Sequence, residues 1–510
     1  MIKLNSLKNL ISKLNDEEYT SVINFLKFNS PQTGRANLKS VLLVEIAKDK
    51  QAYTSNEIQK TIYGNVNHVA FNKLVNRVYT KVLDVIILDS NLYNGKYSSR
   101  NKVVFELRKK VLQVDLLILK GIRENIEREI DYIIHKSRTF EIYDVLIQAL
   151  YSKQRFLTLQ NNPKKAGQIK NSILEAERCW TAFNSSQAIF NSISSKINSS
   201  TGDRNFELEL NSAVQTLKDS YDQTKSPTIL YYYLFLATEI SQRKKEFRKA
   251  SSYLEALLRN VTSNKSVYTD SRCGSTLINI SNNHILTYEF GKAESRIIEA
   301  KKYFKDQPVN LSIAEEIEFI IQLYSDNIEK AEVNISKLAS SSSALNVPLL
   351  LSKWTYMKAC ICFLKRKYGE AIDLFNQSSE IQKDKEGWNF TKRIMILISR
   401  IELNDLDSAD LDIQSLDKFM KRLQKDRHIR PRLILIVRIL RKLIDENFDY
   451  NKVYRLRKKY FDKLMSNDAD YKWEIKSPEL IVFEEWFVSK MNKSVYNPNN
   501  VIRRLNVLQE

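Results

Sequence analysis

Hydrophobic positions along this chain recur at the period of an α-helix almost from end to end. In EFRKASSYLEALL, Glu246 to Leu258, Phe247 is followed by Ala250, Leu254 and Leu257. That spacing lays one apolar stripe along a helix. The stripe returns downstream as Phe290–Ala293–Ile297–Ala300, Ile328–Ala331–Ile335–Leu338 and Leu406–Ala409–Ile413–Leu416. Tyr368–Ala371–Phe375 follows it until Ser378, and Tyr450–Val453–Tyr460 follows it with Arg457 in place of one apolar residue. The anchors at 250, 293, 331, 371, 409 and 453 are 43, 38, 40, 38 and 44 residues apart.

Helical periodicity alone does not make a small residue return at near-constant intervals down so long a stretch. Upstream of each anchor lies a second helical run, among them ILYYYLFLATEIS, LINISNNHILTY, AEEIEFIIQLYS and WTYMKACICFLK. Twelve positions before the anchor the residue is small in three copies: Thr238, Ser281 and Ala359. Small residues at two fixed offsets let paired helices pack closely, ridge into groove. The pattern therefore predicts an all-α chain of antiparallel helix pairs.

Residues from about 226 to 465 resemble tetratricopeptide repeats. The tail of that motif is well matched; its head is not, since the Gly is missing from every copy and Trp354 stands only near the family's Trp. The periods also exceed the usual ~34 residues. The resemblance implies a right-handed superhelical α-solenoid whose inner wall is lined by the first helix of each pair. Counted from the anchors, wall positions are Tyr232, Phe235, Glu239, Gln242 and Arg243, then Asn282 and Ile285, then Tyr356 and Phe363, then Arg438 and Lys442. Aromatics mixed with amides and guanidinium groups suit capture of a peptide or partner helix, although the same rings also suit packing between helices. The carboxylate-clamp pattern of chaperone-binding members is not reproduced, which disfavours a chaperone tail as partner.

No anchor occurs before Asn101. There, TSNEIQKTIYG carries a Thr54–Glu57 capping pair and Gly64 to end a short helix. A brief turn leads to AFNKLVNRVYTKVLDVIIL, with Phe71, Leu74, Val75, Val78, Val82 and Ile86 on one face. With a preceding helix in SVLLVEIAKD, this resembles a helix-turn-helix or winged-helix module, in which Lys73, Asn76, Arg77 and Lys81 would face DNA. Such a module followed by tetratricopeptide-like repeats is the plan of several bacterial regulator families, some of which sense peptides. A solenoid cap with a solvated basic face is the other reading. The chain thus divides into an N-terminal helical module (1–100), a hairpin region extending the solenoid (101–225), the repeats (226–465) and a helical cap or tail (466–510). NSSTGDRN (Asn198–Asn205) and SSSSALNVP (Ser340–Pro348) read as loops.

Composition narrows the chemistry. With 10 Gly and 8 Pro in 510 residues, little is left for the tight turns of nucleotide-binding folds. No two Gly lie within five residues of each other, so no P-loop, Rossmann loop or nucleophile elbow exists. The four His (68, 135, 284 and 428) are scattered, and Cys360 and Cys362 lie about 200° apart on a helix, so they do not share a metal there. No cofactor or metal is called for, and the expectation is a non-catalytic protein in the cytoplasm, with no signal peptide or membrane span.

Net charge is +20, and Lys418–Lys463 holds 16 Lys or Arg against 5 Asp or Glu. Arg455, Lys458, Lys459 and Lys463 fall on roughly one helical side, with Tyr454 and Tyr460 between them. This is the best place for an acidic partner or a nucleic acid. The primary expectation is a scaffold holding a protein or peptide in the solenoid groove. The alternatives are a DNA-reading regulator with a sensor solenoid and an RNA- or ribosome-associated protein.

Overall fold

A computed structural model describes residues 2–28, 35–49, 53–88, 99–197, 204–340, 348–379, 387–426 and 429–507. Residues 198–203 and 341–347 of the expected loops, and His428, lie outside them. Most of the described residues are helical, with no strand among them. None of their helices is long and apolar enough to cross a membrane. The chain divides into two compact units, 1–173 and 174–510, with the boundary inside a long helix.

The first unit opens with α1 (Ile2–Lys13), α2 (Asp16–Phe28), α3 (Arg35–Lys48), α4 (Ser55–Tyr63) and α5 (His68–Leu88). Leu7, Val22, Val44, Ile58, Leu74 and Val78 share their core. The capping box before α4 is present: the Thr54 hydroxyl accepts from the Glu57 N–H, while Glu57 accepts from the Thr54 N–H at 2.7 Å. Gly64 ends α4 with φ 79°, a left-handed conformation that glycine adopts without penalty. Then α6 (Ser99–Leu119), α7 (Ile126–Thr139) and α8 (Tyr143–Leu159) pack around Leu107, Ile130 and Val145. The boundary helix is α9 (Pro163–Lys196).

The second unit continues with α10 (Arg204–Thr224) and six helix pairs. The first helices of the pairs are α11 (Pro227–Arg243), α13 (Asp270–Leu286), α15 (Pro308–Tyr324), α17 (Pro348–Leu364), α19 (Trp388–Glu402) and α21 (Pro431–Asp445). The second helices are α12 (Phe247–Ser263), α14 (Phe290–Lys301), α16 (Ile328–Ala339), α18 (Tyr368–Gln377), α20 (Leu406–Asp426) and α22 (Tyr450–Leu456). Each helix packs on the next, which makes this unit an α-solenoid of tetratricopeptide-like hairpins. Ala250, Ala293, Ala331, Ala371, Ala409 and Val453 are all fully buried. Ser281, twelve residues before Ala293, donates its hydroxyl to the Ala293 carbonyl at 2.9 Å, so two of the small positions touch directly.

A further repeat signal lies in the turns. Lys245, Tyr288, Asp326, Arg366 and Asn404, each five residues before an anchor, have φ of 59°, 60°, 64°, 60° and 60°. At each, the next residue's N–H reaches back five positions, as Glu246 does to Ser241 at 2.8 Å. This is the Schellman closure, normally built on glycine. The sixth copy carries two left-handed residues, Asn447 and Phe448. The same closure occurs at Glu141 and Asn161, five before Leu146 and Ala166, which extends the helical-pair register upstream of residue 226.

Beyond α22 the chain departs from the sequence reading in two places. The expected single helix through 450–464 is broken at Arg457, and α23 (Lys458–Leu464) starts anew. The break seats Phe461 between Tyr454 and Phe487, at 4.8 Å from each ring. The stretch read as a helical tail from 466 is helical only in α24 (Phe483–Met491) and α25 (Asn499–Val507); residues 466–482 form turns and irregular backbone.

Candidate functional site

The first helices of the pairs present a row of polar and aromatic side chains, and residues 466–507 lie against that row. Four of the six first helices hold this segment through hydrogen bonds. The Tyr324 hydroxyl (α15) donates to the Leu480 carbonyl at 3.1 Å, and the Tyr356 hydroxyl (α17) donates to the Pro478 carbonyl at 2.8 Å. From α19, Glu402 accepts from the Trp486 indole N–H at 2.7 Å and from Lys490 at 2.8 Å. From α21, Arg432 donates to both Glu479 oxygens at 2.7 Å, to Glu484 at 2.5 Å and to the Tyr471 carbonyl at 2.8 Å.

The tyrosine and arginine contacts are buried. Tyr324, Tyr356, Arg432 and Glu484 are all essentially without solvent exposure. Burial pushes both tyrosine hydroxyls far above their ordinary range, so they remain donors at any working pH. Burial also opposes the Arg432 charge, but Glu479 and Glu484 outweigh it and the guanidinium stays protonated. Around these polar points Trp473, Ile475, Leu480 and Ile481 are buried, and the Trp473 ring meets Tyr324 edge to face with centroids 5.4 Å apart. The Trp473 indole N–H is satisfied by the Glu479 carbonyl at 2.9 Å.

Between segment and wall lies a cavity of about 330 Å³, lined by Asn282, Ile285, Ile317, Met357, Trp388 and Lys476 among others. Glu316 at its edge is fixed by Lys353 at 2.6 Å and the Trp354 indole at 2.9 Å. Lys476 reaches solvent yet is ringed by groove walls; the loss of surrounding water pulls its ammonium down to about 8, against the attraction of Glu239. A second cavity of about 520 Å³ lies between Phe363, Tyr368 and Glu402 on one side and Trp486, Lys490 and Tyr496 on the other.

The residues picked from sequence spread over several environments. Tyr232 is 5% exposed and stacks on Phe190 with centroids 4.4 Å apart, with Phe235 edge-on to the same ring. Both pack among helices α9 to α11. Gln242 donates to Asn283 at 3.3 Å, and Arg243 is tied to Glu239 at 2.7 Å and to the Ile197 carbonyl at 2.8 Å. Asn282, Ile285 and Tyr356 meet the segment or its cavity, and Phe363 lines the second cavity. Arg438 is exposed, and Lys442 pairs with Glu446 at 2.5 Å.

On α5, Lys73, Asn76 and Arg77 are exposed and Lys81 is half-buried. Arg455, Lys458 and Lys459 are exposed, but on two separate seven-residue helices rather than one continuous face. Sequence reasoning missed Tyr324, Arg432, Trp473 and Glu479. Of these, Trp473 followed by the apolar run at 480–483 was a usable signal, because a solvated tail does not spend such residues.

Cys273, Cys360 and Cys362 are buried, with burial raising each thiol. Among the described residues no group of three or more His, Cys, Asp or Glu is placed to hold a metal ion.

No family model and no curated protein matches the chain. Among solved structures it is similar to the apo form of RapI, at 15% identity and TM-score 0.43, over 70% of this chain and 86% of that one. It is also similar to a signal-transduction ATPase (STAND) protein with a tetratricopeptide repeat sensor from Pyrococcus horikoshii. There the identity is 12% and the TM-score 0.40, over 82% of this chain and 65% of that one. A third is NprR in complex with its cognate peptide NprX, at 11% identity and TM-score 0.34, over 76% of this chain and 99% of that one. Likenesses this low carry nothing about the site, and the helix-pair architecture stands on the chain's own repeat geometry.

Proposed function

We propose that the chain is a non-catalytic binding scaffold whose solenoid takes an extended protein or peptide segment along the first helices of its pairs. The observation that carries this reading is the way the wall already holds residues 471–484. Tyr324 and Tyr356 donate to main-chain carbonyls, which fixes an extended chain whatever its side chains are. Arg432 takes carboxylates, and apolar positions on α13, α15 and α17 take side chains. Main-chain contacts for affinity with side-chain pockets for specificity is a general mode of peptide recognition.

Selection of displayed random 12-residue peptides on the purified full-length chain tests the reading. Binders should weaken about 3- to 10-fold on Tyr324→Phe and Tyr356→Phe, the loss of one neutral hydrogen bond each. An empty selection, or binders indifferent to both changes, would sink it.

The exposed Lys73, Asn76 and Arg77 on α5, directly after the tight turn that follows α4, support a second reading: a regulator whose first unit contacts DNA. Binding of duplex DNA across a salt series tests it, since each phosphate contact adds about −0.9 to the log–log slope. Loss of one to two units on Lys73→Ala/Arg77→Ala is expected; an unchanged slope removes the reading.

A further inference from the structure

Residues 466–478 form a strap with an unusual mismatch to the surface beneath it. Trp473 and Ile475 are 2% and 3% exposed and seat well. The next two residues, Lys476 and Ser477, are polar, and they lie over an apolar part of the wall. Ile285, Ile317, Met357 and Trp388 line the space there, and Ile313 at its edge is still 44% exposed. The result is the cavity of about 330 Å³, left where a larger apolar side chain would fit. Lys476 itself is exposed, and the protein packed around it pulls its ammonium down against the attraction of Glu239.

The strap is held differently from the residues that follow it. From Glu479 onward the chain is locked by Arg432, by Arg504 to Glu484 at 3.0 Å, and by the α24 side chains Phe483, Trp486 and Phe487 in the core. Before Glu479, the attachments include the Pro478 carbonyl on Tyr356, the Tyr471 carbonyl on the Arg432 side chain, the Asp470 carbonyl on the Arg432 N–H at 3.3 Å, the Ala469 and Lys472 carbonyls on Arg430 at 3.2 and 2.7 Å, an Arg430–Glu474 ion pair at 3.5 Å, and the two apolar side chains. No helix or strand hydrogen-bonding ladder supports it.

We propose that the wall under Lys476 and Ser477 is the specificity subsite for a partner peptide, and that residues 466–478 are the resident it displaces. This rests on the peptide-binding reading above. The partner's chemistry follows from the surface: an extended segment with an aromatic residue, an aliphatic residue two positions on, and a further apolar side chain two positions after that. The third side chain enters the cavity that Ser477 leaves unfilled. The Glu479 anchor on Arg432 stays in place, so the strap opens as a loop tethered at both ends.

The test uses the full-length chain and two synthetic peptides: residues 470–482 of this chain, and the same peptide with Ser477→Leu. Fluorescence anisotropy should give about tenfold tighter binding for the leucine peptide, the gain from burying one such side chain less its ordering. In the chain variant Trp473→Ala, which loosens the strap, both peptides should bind at least tenfold tighter than to the unaltered chain. A measurement on the unaltered chain removes any dependence on that variant folding. Saturation with the leucine peptide should speed hydrogen exchange at 472–477.

Equal affinity of the two peptides, or exchange at 472–477 that stays unchanged with peptide bound, overturns the proposal. If display-selected peptides still depend on Tyr324 and Tyr356 in that case, the groove reading survives and only the displaced strap is lost. Because Leu480 stays on Tyr324 when the strap opens, the synthetic peptides should depend on Tyr356 alone; if they do not, and selected peptides depend on neither tyrosine, both readings fall.

Discussion

Arg432 offers the sharpest single perturbation, because its side chain is 2% exposed and its two carboxylate partners are 7% and 0% exposed. Arg432→Met keeps most of the volume and removes all the side-chain donors. Glu484 then retains Arg504 at 3.0 Å, while Glu479 retains only the Phe483 N–H at 2.9 Å. One buried carboxylate is left nearly uncompensated, and breaking a buried pair in this way costs about 3–5 kcal/mol. Glu479→Gln in the methionine background removes the orphaned charge and should return about 1–3 kcal/mol, the size of coupling expected between contacting groups. Urea unfolding followed by tryptophan fluorescence reads both, since Trp473 and Trp486 lie within the affected region. A loss under about 1 kcal/mol for Arg432→Met, the level of an exposed ion pair, would refute the claim that this network locks the C-terminal segment to the wall.

Other expectations can be checked with the same protein. Lys245 is exposed with φ 59°, so Lys245→Gly should stabilise by about 0.5–1 kcal/mol in urea unfolding, the left-handed penalty less the added chain entropy. A Cβ on Gly274 would stand 2.4 Å from the buried Phe304 ring, so Gly274→Ala should destabilise by about 1–3 kcal/mol in the same assay. Lys476→Met should be more stable than the parent at pH 7. Because the folded-state value of about 8 lies below the ordinary ~10.4 of lysine, unfolding takes up protons between them. The parent's stability therefore rises through that window and the gap to the variant narrows by pH 10. Thiol titration of the native chain should show Cys179 reacting first, with buried Cys273, Cys360 and Cys362 reacting only on unfolding.

Much of the solenoid was legible because its repeats leave a mark at every copy. Each anchor alanine must be small for two helices to touch, and helical burial then fixes the apolar residues four and seven positions on. The turns were not legible. Their left-handed positions are filled by Lys245, Tyr288, Asp326, Arg366 and Asn404 rather than by glycine, so nothing in residue type marks them. Recurrence at five residues before the anchor emerges only once φ is known.

The site was harder to read for a different reason. A 3.6-residue period shows that Tyr232 and Tyr356 lie on apolar faces of first helices, but not which neighbour each face meets. One stacks on α9 and the other reaches the Pro478 carbonyl. The segment lying on the wall has no periodicity, and its contacts join residues 122 and 156 positions apart in the chain. Local pattern carries no record of such pairings. What sequence does record is the cost of leaving Trp473 and the 480–483 run in water, which already argued that this stretch is covered by something.

The most direct test of the groove is to place a photo-reactive residue in a display-selected peptide and map where it crosslinks on the full-length chain. Crosslinks concentrated on Asn282, Met357, Trp388 and their neighbours on α13, α15, α17 and α19 are the predicted result. Crosslinks confined to the second helices of the pairs, or to residues 1–173, would contradict the account.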